Sequence, residues 1–131
     1  MRCAVLLMTH PGIGQALLET VNHLLDGRLP LSVEVIELDW QDTPSDLLPA
    51  TVLRACALDQ GNGVLVLTDL YGASPSNLAA QLLLQLPCAQ RVAGVNLPML
   101  LRVLNYPDLA LDALASVAAD AARTGAIVND A

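Results

Sequence analysis

Cys3-Ala-Val-Leu-Leu-Met8 is an unbroken apolar run that ends abruptly in Thr9-His10-Pro11-Gly12. A strand with one face in water alternates polar and apolar residues. A run with no alternation needs both faces covered, as in the interior of a parallel sheet. Val64-Leu-Val-Leu67 repeats the pattern and is closed by Thr68-Asp69. Between them, apolar residues at Ile13, Leu17, Leu18, Val21, Leu24 and Leu25 follow helical spacing from Gly12 to Leu25. Gly27 and Pro30 then stop the helix.

The same rhythm continues. Ser32–Leu38 reads as a second strand. Asp42-Thr-Pro-Ser45 loops into a helix over Asp46–Leu58, and Gly61-Asn-Gly63 turns into the Val64 strand. Ser74 is a suitable N-cap with Pro75 at the first helical position, which starts a helix running to about Leu86. Arg91–Val95 reads as a fourth strand, and Asn96-Leu97-Pro98 as the start of a short helix. Asp108 to about Arg123 is a last helix ended by Gly125, and Ala126–Asn129 could form a short final strand. Strands alternating with helices predict an α/β domain. Its sheet is open, mainly parallel and of about four strands, with helices on both faces and room for a short C-terminal edge strand. No repeat or linker divides the chain, so residues 1–131 are read as one domain.

Composition narrows the function. The 131 residues are 54% apolar but only 2% aromatic, so the core is aliphatic and stacking platforms for single-stranded nucleic acid are scarce. The net charge is −7, and all six cations are arginine. A negative chain does not gather polyphosphate backbones by bulk attraction. Nucleic acid is therefore not an expected partner, and any phosphate must be held locally. Without lysine there is neither a P-loop lysine nor a Schiff base. Cys3, Cys56 and Cys88 form no CxxC and suit buried free thiols in a reducing compartment. No metal motif occurs. Neither a signal peptide nor a membrane-length apolar run is seen, so a soluble cytoplasmic protein without membrane insertion is expected.

Parallel sheets bind ligands beyond the carboxyl ends of their strands, where the strand order reverses. Three strand ends therefore matter. After the first stands His10, with Gly12 and Ile13 opening a helix whose free N–H groups would face an anion near the imidazole. After the third stand Thr68, Asp69, Gly72, Ala73 and Ser74. If the first and third strands are neighbours, Asp69 shares a rim with His10. Its carboxylate would take one imidazole N–H and leave the other nitrogen as nucleophile. Asp69 could equally cap a turn. After the fourth strand, Asn96 could cap the next helix, while Leu97 and Met99 could be core or be presented to a partner. His23 reads as structural or solvated, and Trp40 as a loop anchor with a weaker claim to partner contact.

Thr9-His10, Thr68-Asp-Leu-Tyr-Gly-Ala-Ser-Pro-Ser-Asn77 and Gly94-Val-Asn-Leu-Pro-Met-Leu100 together resemble the three signatures of mannose-type enzyme IIA domains of the bacterial phosphoenolpyruvate-dependent sugar phosphotransferase system. Their order and spacing agree across nearly the whole chain. The resemblance implies a phosphotransferase that needs no cofactor or metal. His10 would accept a phosphoryl group from the histidine-containing phosphocarrier protein and pass it to an enzyme IIB partner. Asp69 would orient the imidazole, and Gly72–Ser74 would hold phosphoryl oxygens. It also implies a homodimer that exchanges the C-terminal strand, here Ala126–Asn129. The chain departs from the family pattern at Pro11, Ala73 and Ser76, where the family usually has glycine, glycine and an aromatic residue.

Three other readings stay open at this point. One is a sensor of phosphorylation state that serves no permease. Another is the related phosphate-relay subunit of dihydroxyacetone kinase, whose motifs match the Ser-Pro and Asn-Leu-Pro segments less well. The third is an anion-binding α/β module that never forms a covalent adduct.

Overall fold

A computed structural model describes residues 2–128. Four strands, β1 (Ala4–Thr9), β2 (Val33–Glu37), β3 (Val64–Thr68) and β4 (Ala89–Ala93), form one sheet in the order β2-β1-β3-β4. Every pairing is parallel. The helices are α1 (Ile13–Leu24), α2 (Pro44–Leu58), α3 (Ser74–Gln85), α4 (Leu97–Leu104) and α5 (Leu111–Thr124).

The two uninterrupted apolar runs are the two central strands, and every residue of both is buried. Alternate side chains serve opposite cores. Val5, Leu7, Leu65 and Leu67 pack with Val21 of α1, with Met99, Leu100 and Val103 of α4, and with Leu114 and Ala118 of α5. Ala4, Leu6, Met8, Val64 and Val66 pack with Ala55 and Leu58 of α2 and with Leu78, Ala79 and Leu82 of α3. Each fully buried leucine contributes on the order of 1.5–3 kcal/mol relative to exposure, so aliphatic packing on both faces holds the sheet without aromatic residues.

The element order matches the sequence reading, but several boundaries move. Ala73, not Ser74, holds the N-cap position of α3; Ser74 and Pro75 are its first two helical residues. Gly12 precedes α1 with a left-handed φ of 83°, so Pro11 lies in the turn before the helix rather than at its first position. β4 lies two residues earlier than expected. Gly94 takes a φ of 88° and breaks the strand, and Val95 N–H then crosses to Thr68 O at 2.9 Å. Ala126–Val128 are not in a strand, and Asn129 of the expected edge strand lies outside the described residues.

Candidate active site

The strand order reverses between β1 and β3, because their chain neighbours β2 and β4 lie on opposite sides. Met8 pairs with Thr68, so His10, two residues on, and Asp69, one residue on, come off adjacent strand ends. Asp69 Oδ2 lies 2.8 Å from His10 Nδ1 and accepts the His10 main-chain N–H at 2.9 Å. A carboxylate only accepts. The neutral imidazole therefore keeps its proton on Nδ1 and its lone pair on Nε2. The His10 side chain is 21% exposed and that of Asp69 8%, so the imidazole reaches solvent while the carboxylate is shielded.

Thr9 braces this arrangement from below. It is fully buried; its Oγ1 accepts Gly14 N–H at 2.8 Å and donates to His10 O at 2.9 Å. Gly14 is needed here because a Cβ would stand 2.7 Å from Val35 Cγ1 and 2.9 Å from Thr9 Oγ1. On the far side, Gly72 takes a φ of 86° in the β3–α3 loop. The exposed Ser74 then opens α3 with its N–H unbonded among the described residues. A helix N-terminus with free N–H groups suits an anion. Arg91 supports this loop: its guanidinium lies 5.3 Å from the centre of the Tyr71 ring and donates to Ser76 O at 2.9 Å.

Two buried polar atoms, Thr68 Oγ1 and Asp69 Oδ1, have no hydrogen-bond partner among the described residues. Folded proteins keep few such atoms, and here both belong to the rim of the reversal point. Among the described residues no group of three His, Cys, Asp or Glu side chains could hold a metal ion.

The structure joins His10 to Asp69 and places Gly72, Ala73 and Ser74 in the loop and helix start that follow Asp69, but it gives other expected residues different work. Gly12 N–H donates to Glu37 Oε1 at 3.0 Å, and Ile13 N–H points to His10 O at 3.4 Å. Neither is free for an anion, because the Glu37 carboxylate already occupies that end of α1, taking Gln15 N–H on Oε2 as well. Thr68 is fully buried, so its hydroxyl cannot reach a ligand at the surface. Met99 is fully buried in the core and presents nothing to a partner. Leu97 packs against the same core. Asn96 is the cap of α4, accepting Met99 N–H at 2.9 Å, and its Nδ2 donates to Ala122 O of α5. His23 is exposed.

Two residues at the site escaped the sequence reading. Glu37 lies opposite Thr9 in the β1–β2 register, a position visible only once the strands are paired. Trp40, expected as a loop anchor, is 79% exposed and stacks on the His10 ring, with centroids 5.2 Å apart and planes 26° from parallel.

An open parallel α/β domain with a carboxylate-oriented histidine at its strand reversal has the geometry that histidine-centred group transfer requires. Residues 4–121 match the family described as "PTS system fructose IIA component", and the chain belongs to this mannose-type enzyme IIA family of phosphotransferase-system components. It is 30% identical over 127 residues to the "PTS system mannose-specific EIIAB component" of Escherichia coli (strain K12), covering 95% of this chain and 39% of that relative. It is 31% identical over 96 residues to the "PTS system sorbose-specific EIIA component" of Lacticaseibacillus casei, covering 63% of this chain and 70% of that one. The "Mannose/sorbose specific IIA subunit of phosphotransferase system from Enterococcus faecalis" has the same fold, with a TM-score of 0.87 and 24% identity over 100% of this chain and 97% of that chain. No helix among the described residues is long and apolar enough to cross a membrane.

Proposed function

We propose that this chain is a phosphocarrier, with His10 Nε2 taking a phosphoryl group from the histidine-containing phosphocarrier protein and passing it to an enzyme IIB partner. The observation that carries the reading is the 2.8 Å contact of His10 Nδ1 with Asp69 Oδ2, which leaves Nε2 as the free nucleophilic nitrogen.

The Nε2 lone pair attacks the phosphorus of the donor's phosphohistidine in line. The new N–P bond forms as the donor's breaks, and the donor imidazole leaves with the electron pair. The proton stays on Nδ1, against Asp69. The N-terminus of α3, with Gly72 and Ser74, supplies donors to the phosphoryl oxygens; the Ala73 N–H is turned to Leu70 O at 3.3 Å. Exchange between two imidazoles is nearly balanced in energy, so the residues act chiefly by orientation. The working setting is the cytoplasm. The active form is a homodimer, which sedimentation equilibrium would test.

The test is incubation with phosphoenolpyruvate, enzyme I and the histidine-containing phosphocarrier protein, followed by intact mass before and after mild acid. One acid-labile phosphoryl group on the chain, absent from His10→Ala, is the expected result. No adduct from a competent donor pair, or full labelling of His10→Ala, overturns it.

A further inference from the structure

Trp40 is the only tryptophan in the chain, and its neighbour is the reacting ring. A side chain that is 79% exposed is not held by a core. The backbone beneath it, however, is tied to the site. Leu38 N–H donates to Thr9 O, one residue before His10, at 3.0 Å. At the next residue a tight turn begins: Asp39 N–H donates to Asp42 Oδ2 at 2.8 Å, and Asp42 N–H to Asp39 O at 3.0 Å. That turn sets the indole against the imidazole face.

Asp69 fixes one edge of the His10 ring and Trp40 one face. Together they define the ring plane, and with it the direction of the Nε2 lone pair. The contact also discriminates between states. While Nδ1 keeps its proton, an N–P bond at Nε2 makes the ring formally cationic, and the balancing positive charge leaves the donor ring. A π face attracts a cationic ring more than a neutral one.

We infer that Trp40 is a positioning residue that favours the phosphorylated form of His10, setting how readily this carrier holds its phosphoryl group. This deepens the phosphocarrier reading and rests on it. At a partly exposed site the preference corresponds to about a two- to fivefold shift in the transfer equilibrium.

The experiment titrates wild type, Trp40→Phe and Trp40→Ala with rising ratios of phosphorylated to free phosphocarrier protein, reading phosphoryl occupancy by intact mass. The expected result is full labelling of all three, with the Trp40→Ala midpoint displaced about two- to fivefold toward higher ratios and Trp40→Phe close to wild type. Indole emission of the wild type should also change on labelling. A Trp40→Ala midpoint equal to that of wild type overturns the inference alone. So does a Trp40→Ala plateau below full labelling, which marks a merely structural role, or an unchanged wild-type emission. Absence of label on the wild type overturns the phosphocarrier reading, and this inference with it.

Discussion

One oxygen, Asp69 Oδ2, serves His10 twice, lying 2.8 Å from its ring Nδ1 and 2.9 Å from its main-chain nitrogen. The side chain and the backbone of His10 are thus set by a single acceptor. Asp69→Asn keeps the shape but removes the charge from both bonds. A hydrogen bond to a charged group contributes about 1.5–3 kcal/mol, so phosphoryl transfer should slow about ten- to hundredfold. Single-turnover labelling of the variant against wild type checks this, and an unchanged rate would remove Asp69 from the mechanism.

Glu37 closes the N-terminus of α1 with both carboxylate oxygens. Glu37→Ala should cost about 1 kcal/mol through the lost cap and its interaction with the helix dipole. The vacated N–H groups should then attract anions. Added inorganic phosphate is expected to raise the melting temperature of the variant more than that of wild type, which thermal unfolding with and without phosphate would read.

Gly14 has no room for a methyl group beside Val35 and Thr9. Gly14→Ala gains helix propensity but must displace the half-buried Val35 or the Thr9 hydroxyl. Overpacking of this kind costs about 1–3 kcal/mol. Urea unfolding should give a lower midpoint at unchanged slope, and a midpoint at or above that of wild type would contradict the tight contact.

At the opposite end of the sheet, Cys88 Sγ donates to Asp59 Oδ2 at 3.0 Å, while Asp59 Oδ1 accepts Gly61 and Gly63 N–H. The thiol bond, followed by the main-chain donors, holds the Asp59 carboxyl below the usual carboxylate range. The same bond, then burial, pushes the Cys88 thiol up. A lowered carboxyl gives stability that is present above its unfolded value and lost as pH falls through the folded one. A raised thiol gives stability that is present below its unfolded value and lost as pH rises through the folded one. The pair should therefore stabilise between the carboxylate and thiol ranges, by at most about 1 kcal/mol because both groups stand near water. Cys88→Ala should flatten both limbs of melting temperature against pH, whereas Cys88→Ser should preserve the acid limb.

Much of this was legible before any coordinates. β1 and β3 announced themselves because strands buried on both faces are apolar up to their last residue. His10 and Asp69 stood out because they are the polar residues that directly follow those strands. The residues misjudged are those whose environment depends on pairing at a distance. Glu37 competes for the α1 N–H groups only because β2 lies in register beside β1. For Met99 and Asn96, of which two readings stood open, packing of α5 decides: Met99 is core, and the half-buried Asn96 caps α4 and donates to α5. The start of α2 was read late, since Pro44 begins it and Pro49 lies within it.

The reversal of strand order also has a consequence for folding. β1 pairs with β3 across the whole of α1, β2 and α2, and the His10–Asp69 contact joins residues 59 positions apart. Closing so long a loop is among the slower events in assembling a small domain. No early intermediate with only local structure can present an oriented imidazole. Recovery of phosphoryl acceptance after dilution from denaturant would therefore time the docking of the central strand pair, making the chemistry of His10 a clock for global folding.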